Sequence, residues 1–282
     1  MRQVAIAITV YRNPPRLAAL LDNMKWSGIP DIPIYVFEDP SPFEDREEIT
    51  EAYKAVCREK GNLFLDTAPK WGCMHGIIDY AFRMTYEDWL IYIPDDVIFP
   101  RGGLWNELSG VLTYGRDWVG GIQAPYWNAS DLVDMGVMPH RGAMYSGWVP
   151  DSIPRNPHWD FPGVPRRYIN LNGAGFSMSR ILYNKMGGWP RSTWRLDEYA
   201  GYMAWQNGLA CITLPGAPRI HYFGGATGSM PDGREYHSVR AWVEAVGKTP
   251  EDCGRETTKI MERIYPVDNW DGMLEARKTL YA

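Results

Sequence analysis

The chain has 282 residues, of which 45% are hydrophobic and 22% are charged, a balance that fits a globular protein and excludes wholesale disorder. The net charge of -5 gives no general attraction to nucleic acid or to an anionic membrane. No stretch approaches the roughly 18 apolar residues of a membrane span, and the apolar part of the N-terminus is too short for a secretion signal. The four scattered cysteines show no zinc-ligand spacing, so we expect reduced thiols in a cytoplasmic protein.

Strands and helices alternate through the first half of the chain. A short apolar run at 4–10 predicts a strand, and two prolines then open an amphipathic helical pattern. Further strands are predicted at 34–37, 63–65, 89–93 and 119–122, and further helices at 44–60 and 73–86. This alternation predicts a parallel sheet with right-handed crossovers, in which ligands bind beyond the carboxyl ends of the strands.

The pattern breaks at residues 124–167, which are rich in proline, glycine and aromatic residues. An irregular segment of this length is either functional or a small subdomain that only packs, and we interpret it as a lid or an acceptor-facing insertion. Beyond it, 168–188 predict a short strand, a glycine-rich turn and a helix. The last elements before the C-terminal region are predicted as a helix at 196–207, a strand at 210–214 and an extended segment at 220–222.

Acidic residues follow two of the predicted strands. Glu38 and Asp39 come after the second strand, and Asp95 and Asp96 after the fourth, so all four carboxyl groups are expected at one edge of the sheet. Adjacent carboxylates repel each other unless a cation offsets their charge, and oxygen ligands favour Mg²⁺ or Mn²⁺. Asp95 and Asp96 are therefore candidate metal ligands, with the N-cap of a helix starting near Pro100 as the alternative. Glu38 and Asp39 are candidates to bind a ribose or a base, with a turn as the alternative.

Two later positions carry candidate chemistry. Asp197 and Glu198 open a predicted helix, where a general base and a simple response to the helix dipole are both compatible with the pattern. His221 lies on an apolar segment before two glycines and is either a site residue or a satisfied core histidine. The sequence contains no P-loop motif, no GxGxxG after the first strand and no GxSxG, which excludes or disfavours three common classes of α/β enzyme.

The order of these motifs resembles that of GT-A fold glycosyltransferases, especially family 2-like enzymes, over about residues 3–225. The resemblance is carried by Thr9-Val10-Tyr11-Arg12, Glu38-Asp39-Pro40-Ser41, Lys70-Trp71-Gly72, Pro94-Asp95-Asp96, Gly173 to Arg180 and Gly187-Gly188-Trp189. The family also has an acidic pair that opens a helix, with a glycine eleven residues after its Asp, which matches Asp197 and Gly208. Two departures are Pro94 in place of the first Asp of the DxD metal motif and Leu196 in place of a Glu.

The resemblance implies an α/β fold of the GT-A, Rossmann-like type, with a mostly parallel sheet flanked by helices. It implies a metal-dependent hexosyltransferase that moves a sugar from a nucleotide-diphosphate sugar, a UDP-sugar in the first place, to an acceptor hydroxyl with inversion. Asp197 and Glu198 would be the catalytic residues, with Asp197 as the general base, and Mn²⁺ or Mg²⁺ would be held by Asp96, Asp95 and His221. The implied contacts to the donor are Thr9, Tyr11, Arg12, Glu38, Asp39, Lys70, Gly72, His75 and Asp95.

On this interpretation the catalytic domain spans 1–235 and a helical extension follows at 236–282. The domain would comprise a nucleotide-sugar half at 1–123, the insertion at 124–167 and an acceptor half at 168–235. The acceptor stays open among a glycan, a protein and a modified nucleobase, and Trp189 and Trp194 are candidates to stack on its ring. Two alternatives remain: a non-catalytic glycan-binding protein on a degenerate transferase fold, favoured by Pro94, and a sugar nucleotidyltransferase, disfavoured by the lack of glycine after Thr9.

Overall fold

In a computed structural model of the chain, these alternating segments form a central sheet that helices cover on both faces. The strands are β1 (Val4–Val10), β2 (Ile34–Glu38), β3 (Phe64–Thr67), β4 (Trp89–Pro94), β5 (Val97–Ile98), β6 (Val119–Gln123), β7 (Tyr126–Asn128), β8 (Arg166–Tyr168), β9 (Phe176–Ser179), β10 (Ala210–Thr213) and β11 (Arg219–His221). The helices are α1 (Pro14–Ser27), α2 (Arg46–Lys60), α3 (Met74–Met84), α4 (Gly103–Tyr114), α5 (Ala129–Asp134) and α6 (Arg180–Met186).

The structure describes the greater part of the first 221 residues. The described residues are 3–28, 31–39, 45–61, 64–67, 74–140, 143, 149, 153–154, 166–168, 171, 173–189, 200–201, 203–204, 206–216 and 219–221. The predicted helical extension at 236–282 lies outside them, so the proposed domain division stays a prediction. Within the described part of the chain, no helix has the length and apolar character needed to cross a membrane.

The central sheet has eight strands in the order β3-β2-β1-β4-β9-β6-β10-β8. β1 pairs in parallel with β2 on one side and with β4 on the other. β9 runs antiparallel to both of its neighbours, and β8 runs antiparallel to β10. The chain moves outward from β1 to β3 and then returns to the other side of β1 as β4. The carboxyl ends of β1 and β4 therefore form a topological switch point, where open α/β sheets bind ligands. The predicted α/β fold with a mostly parallel sheet is confirmed.

All seven residues of β1 are buried because both faces of the sheet are covered. Ile6 and Ile8 face one apolar layer, to which α1, α2 and α4 contribute. Ala5 and Ala7 alternate with them and face the other layer, formed with α3 and α6. This placement of helices on both sides explains why β1 is a continuous apolar run rather than an alternating pattern.

A second, three-stranded sheet in the order β5-β11-β7 lies next to the carboxyl end of β4. Ile98 and Ile220 from this sheet pack with Leu132 and Met138 in a separate apolar cluster. The segment 126–138 was expected to belong to a long irregular insertion, but it forms β7, α5 and part of this cluster. For that part of the insertion, the structure favours the alternative of a small subdomain that packs.

Two elements differ from the sequence-based expectation. α4 was anticipated only as a helix starting near Pro100, and it begins at Gly103 with Gly102 as its N-cap. The expected strand before the glycine-rich turn is joined by a second strand, β9, after the turn. The α6 helix begins only at Arg180, because the Ser179 hydroxyl accepts a hydrogen bond from the Leu182 N–H at 3.1 Å and caps the helix.

Candidate functional site

The end of β1 lies between two acidic residues. The Asp39 N–H donates to the Val10 carbonyl at 2.9 Å, and the Asp95 N–H donates to the Thr9 carbonyl at 3.1 Å. These bonds extend the two parallel ladders by one residue beyond β2 and β4. The sequence-based expectation that the acidic groups share one edge of the sheet is confirmed.

Asp39 is 2% exposed, and its Oδ1 has no hydrogen-bond partner among the described residues. Burial raises the pKa of Asp39 to about 7, and the neighbouring charge of Glu38 contributes to this rise. Glu38 is fully buried, and its Oε2 accepts hydrogen bonds from the Thr50 and Thr67 hydroxyls at 2.7 and 3.0 Å. Burial also raises the pKa of Glu38, against the opposing effect of those two bonds. One oxygen of Glu38 therefore links α2 to β3 through hydrogen bonds. The contact between Glu38 and a donor stays a prediction.

The turn after β1 is held in a defined shape. Arg12 has a left-handed backbone with φ of 50°, is buried, and pairs with Asp45 at the start of α2. The Asn13 N–H donates to the Tyr53 hydroxyl at 2.7 Å. Burial raises the pKa of Tyr11, with Asp39 acting in the same direction and the nearby Arg12 side chain opposing it. Among the described residues, the Tyr11 hydroxyl donates to no acceptor. The turn therefore presents the Tyr11 hydroxyl beside Asp39.

Thr9 lies at the end of β1 and is 6% exposed. Its hydroxyl donates to the hydroxyl of Tyr92 at 3.3 Å, so it contacts the neighbouring strand β4. Burial raises the pKa of Tyr92, which keeps this phenol neutral. The contact between Thr9 and a donor stays a prediction.

Asp95 is buried next to one cation, Arg16. The Nη1 of Arg16 lies 3.8 Å from the Asp95 Oδ1, whereas the other oxygen, Oδ2, accepts no hydrogen bond from any described residue. Burial raises the pKa of Asp95 to about 7; Arg16 opposes this effect and Asp96 adds to it. The two groups therefore lie at ion-pair distance rather than at hydrogen-bond distance.

Asp96 and His221 lie together. The Nε2 of His221 is 3.5 Å from the Asp96 Oδ2, and both side chains are about nine-tenths buried, with 11% and 10% exposed. Burial acts to raise the pKa of Asp96, but His221 and Arg16 outweigh it and the pKa lies below its usual range. The Oδ1 of Asp96 has no hydrogen-bond partner in the described part of the chain. The structure thus brings together two of the three predicted metal ligands in direct contact.

The acidic pair fits a divalent cation in its chemistry but does not form a complete site by itself. No group of three or more His, Cys, Asp or Glu residues is arranged to hold a metal ion in the described ranges. Asp96 cannot cap α4, because β5 lies between them and Gly102 is the cap, so the N-cap alternative is wrong. One buried carboxylate oxygen on each of Asp95 and Asp96 has no hydrogen-bond partner among the described residues, and a cation completed by phosphate oxygens would satisfy both.

Polar residues on the buried face of α1 contact Asp95 and the segment after β5, and they were not predicted from the sequence. Arg16, Asn23 and Ser27 are all buried on this helix. The Asn23 side chain donates to the Phe99 carbonyl at 3.0 Å and accepts from the Phe99 N–H at 2.7 Å. The Ser27 hydroxyl donates to the Pro100 carbonyl at 3.0 Å. The signal that could have revealed them is the helical spacing of polar residues on the same face as an apolar stripe.

Asp79 on α3 is a second residue that the sequence analysis missed. Its buried carboxylate accepts from Arg83 at 2.7 Å, from the Tyr183 hydroxyl at 3.0 Å and from the Trp189 N–H at 3.2 Å. Trp189 is only 6% exposed and packs against Tyr183 and Phe82. The expectation that Trp189 stacks on an acceptor ring is wrong, since its ring belongs to the core.

Several predicted site residues cannot be placed. Lys70, Gly72, Asp197, Glu198 and Trp194 lie outside the described residues, so their roles stay predictions. His75 is the second residue of α3, and only its backbone is described.

Sequence comparisons with family models and with curated proteins find no match. Fold comparison finds similar solved structures. The mannosyltransferase PcManGT from Pyrobaculum calidifontis, in complex with GDP-Man and Mn²⁺, has a TM-score of 0.55 and 13% identity, over 96% of this chain and 84% of its own. S. aureus TarS has a TM-score of 0.53 and 11% identity over 89% of this chain and 44% of its own. TarS 1-349 in complex with UDP-GlcNAc has a TM-score of 0.53 and 13% identity over 78% and 58%. At these identities the comparisons show a shared fold.

Proposed function

We propose that this chain is a glycosyltransferase that moves a sugar from a nucleotide-diphosphate sugar to an acceptor hydroxyl. The observation that carries the proposal is the set of buried acidic groups, Asp39, Asp95 and Asp96, at the switch point of the sheet. Each has one carboxylate oxygen without a hydrogen-bond partner among the described residues. Unpaired buried carboxylates are costly, so their presence at a ligand-binding edge supports a site that a ligand completes. The structural neighbours with GDP-Man and UDP-GlcNAc support this class of ligand.

Asp39 and Tyr11 are the proposed contacts to the base of the nucleotide. The Asp39 Oδ1 is an acceptor and the Tyr11 hydroxyl is a donor, and within the described structure neither is used in that role. A base with a ring N–H beside a carbonyl oxygen satisfies both groups. Uracil has this pattern, which supports a UDP-sugar, and guanine shares it. The other proposed contacts to the nucleoside are Thr9, Arg12 and Glu38.

Asp95, Asp96 and His221 are the proposed contacts on the diphosphate side. They would hold Mn²⁺ or Mg²⁺ together with phosphate oxygens of the donor. The cation would offset the negative charge that develops on the departing nucleoside diphosphate. Arg16 would remain beside Asp95 and limit the repulsion between the two carboxylates. Lys70, Gly72 and His75 are the remaining candidates for the diphosphate, from the resemblance alone.

Asp197 is the proposed general base. It would accept the proton of the acceptor hydroxyl while that oxygen attacks the anomeric carbon opposite the leaving diphosphate, which inverts the anomeric centre. Glu198 would lie beside it at the start of the same helix. The acceptor class stays open among a glycan, a protein and a modified nucleobase, because the residues at 144–148 and 190–199 are not described.

The second candidate function is a glycan-binding protein without catalysis. The observation in its favour is that Pro94 replaces the first Asp of the metal motif and that the described residues include no complete metal-binding group. A sugar nucleotidyltransferase is disfavoured, since the turn after Thr9 has no glycine that would allow the close approach of a triphosphate.

A panel of nucleoside diphosphates and nucleotide sugars, each with and without Mn²⁺, tests the proposal by thermal shift. A ligand at about 100 times its dissociation constant adds about 2.7 kcal/mol to the free energy of unfolding, which is visible as a higher Tm. We expect a Mn²⁺-dependent shift with uridine nucleotides that Asp96→Ala abolishes. A panel without any shift would contradict the donor site.

A further inference from the structure

Arg219 lies two residues before His221 on β11 and is fully buried. Its Nε donates to Glu107 Oε1 at 2.8 Å, and its Nη2 donates to the other oxygen of Glu107. Its Nη1 donates to the Ala174 carbonyl at 2.9 Å. The guanidinium also lies over the Phe99 ring, 5.5 Å from the ring centre. One side chain thus links β11 to α4, to the glycine-rich turn before β9 and to the segment after β5.

β11 needs such a link because it is only three residues long. It pairs with the two-residue strand β5, where His221 is opposite Val97, and with β7. Strands of this length form few ladder hydrogen bonds, so the sheet by itself fixes their position weakly. A planar guanidinium bonded to both oxygens of a carboxylate fixes distance and orientation together.

We propose that Arg219 and Glu107 form a positioning pair that sets the place of β11, so that the His221 imidazole lies against Asp96. A buried ion pair is a poor source of net stability, because apolar residues of similar volume often do as well. Its directional bonds are what apolar residues cannot replace. The use of His221 in binding a cation rests on the proposed function, whereas the positioning of its ring does not.

The test uses a double variant, Arg219→Met with Glu107→Leu, which leaves no lone charge in the core. The matched control is Arg180→Met. Arg180 also donates to main-chain carbonyls, at Glu87 and Phe82, and lies 5.3 Å from the centre of the Phe82 ring. Its own N–H bonds to the Asp88 carbonyl at the amino end of β4, whereas Asp95 and Asp96 follow the carboxyl end of that strand.

The first measurement is the NMR signal of the His221 ring nitrogens in the metal-free protein at one pH, assigned with His221→Gln among the five histidines of the chain. We expect the double variant to shift or lose the signal of Nε2, and Arg180→Met to keep it. A folded double variant with the wild-type signal overturns the proposal. Should the double variant not fold, Arg219→Lys keeps the charge but cannot bond to both oxygens of Glu107 in the planar geometry of a guanidinium. A shifted or lost Nε2 signal in Arg219→Lys supports the proposal, and a wild-type signal overturns it.

The second measurement is the affinity for Mn²⁺ in the presence of UDP or GDP. We expect a loss of about 10- to 100-fold in the double variant, as is typical when the partner that orients a metal ligand is removed. Arg180→Met is expected to bind as the wild type does. If the wild type binds no Mn²⁺ with either nucleotide, the metal assignment in the proposed function falls, and the imidazole signal alone decides on the positioning pair.

Discussion

Asp39 and Asp95 lie on opposite sides of the last residues of β1, each bonded through its N–H to a β1 carbonyl. Burial raises the pKa of both side chains to about 7. One oxygen of each lacks a hydrogen-bond partner in the described part of the chain. The protein therefore maintains two unfavourable acidic groups at the edge where open α/β sheets in general bind ligands. Such groups lower the stability of the free protein, which is a common consequence of an active site prepared for a ligand.

Replacing Asp39 should stabilise the protein at neutral pH. In the folded chain Asp39 keeps its proton up to about pH 7, whereas in the unfolded chain it loses it near its ordinary pKa of 3.8. The folded state then binds more protons between these values, so stability falls as the pH rises from about 4 to about 7. Asp39→Asn removes this fall. We expect the free energy of unfolding of Asp39→Asn to exceed that of the wild type by an amount that grows across this pH window to at most about 4 kcal/mol. Urea unfolding at pH 5 and pH 8 measures this difference.

Glu51→Gln is the control for that experiment. Glu51 is exposed, and Lys54 holds its pKa below the usual range. Glu51→Gln should therefore lower the stability at neutral pH slightly, whereas Asp39→Asn should raise it. Asp39→Asn should also weaken the binding of nucleotides. An unchanged pH dependence of stability in Asp39→Asn would show that the Asp39 carboxyl is not the strained group described here.

Gly175 is predicted to be intolerant of any side chain. Its φ is +110°, and an added Cβ would collide with the Arg219 guanidinium and lie 2.8 Å from the Tyr92 carbonyl oxygen. We expect Gly175→Ala to lower the free energy of unfolding by about 2 to 4 kcal/mol. Gly187→Ala measures the cost of the left-handed backbone alone, because Gly187 has a φ of +69° with open space around it. We expect this variant to lower the free energy of unfolding by about 1 kcal/mol. Equal losses in the two variants, measured by denaturant unfolding, would argue against the close approach of Arg219.

Asp197→Asn tests the base assignment separately from donor binding. A general base contributes about 10²- to 10⁴-fold to the rate, so transfer should fall by at least about 100-fold while the affinity for the nucleotide sugar stays the same. Glu198→Gln, at the next position, should lower transfer less than Asp197→Asn does. Transfer that survives in Asp197→Asn would place the base elsewhere and reopen a retaining reaction.

The sequence predicted those residues of the candidate site that follow the ends of parallel strands. Parallel strands place their carboxyl ends together, so Asp39, Asp95 and Asp96 could be assigned to one edge from the strand pattern alone. The contact between His221 and Asp96 was foreseen only through the resemblance, because it depends on β11 crossing to β5. The network of Arg219 and Glu107 was not foreseen, since a contact across 112 positions leaves no local pattern. Short strands such as β9 were missed because four residues carry little periodicity.

The most direct test of the account is whether the chain breaks the bond between the sugar and the nucleotide. The release of nucleoside diphosphate can be measured by anion-exchange chromatography, with the nucleotide sugar that gives the largest thermal shift and water as the acceptor. We predict a release that requires Mn²⁺ or Mg²⁺ and that falls by about 10- to 100-fold in Asp96→Asn. A donor that binds in a Mn²⁺-dependent manner and stays intact both with water and with added saccharide, peptide and nucleoside acceptors would contradict catalysis and favour a glycan- or nucleotide-binding protein instead.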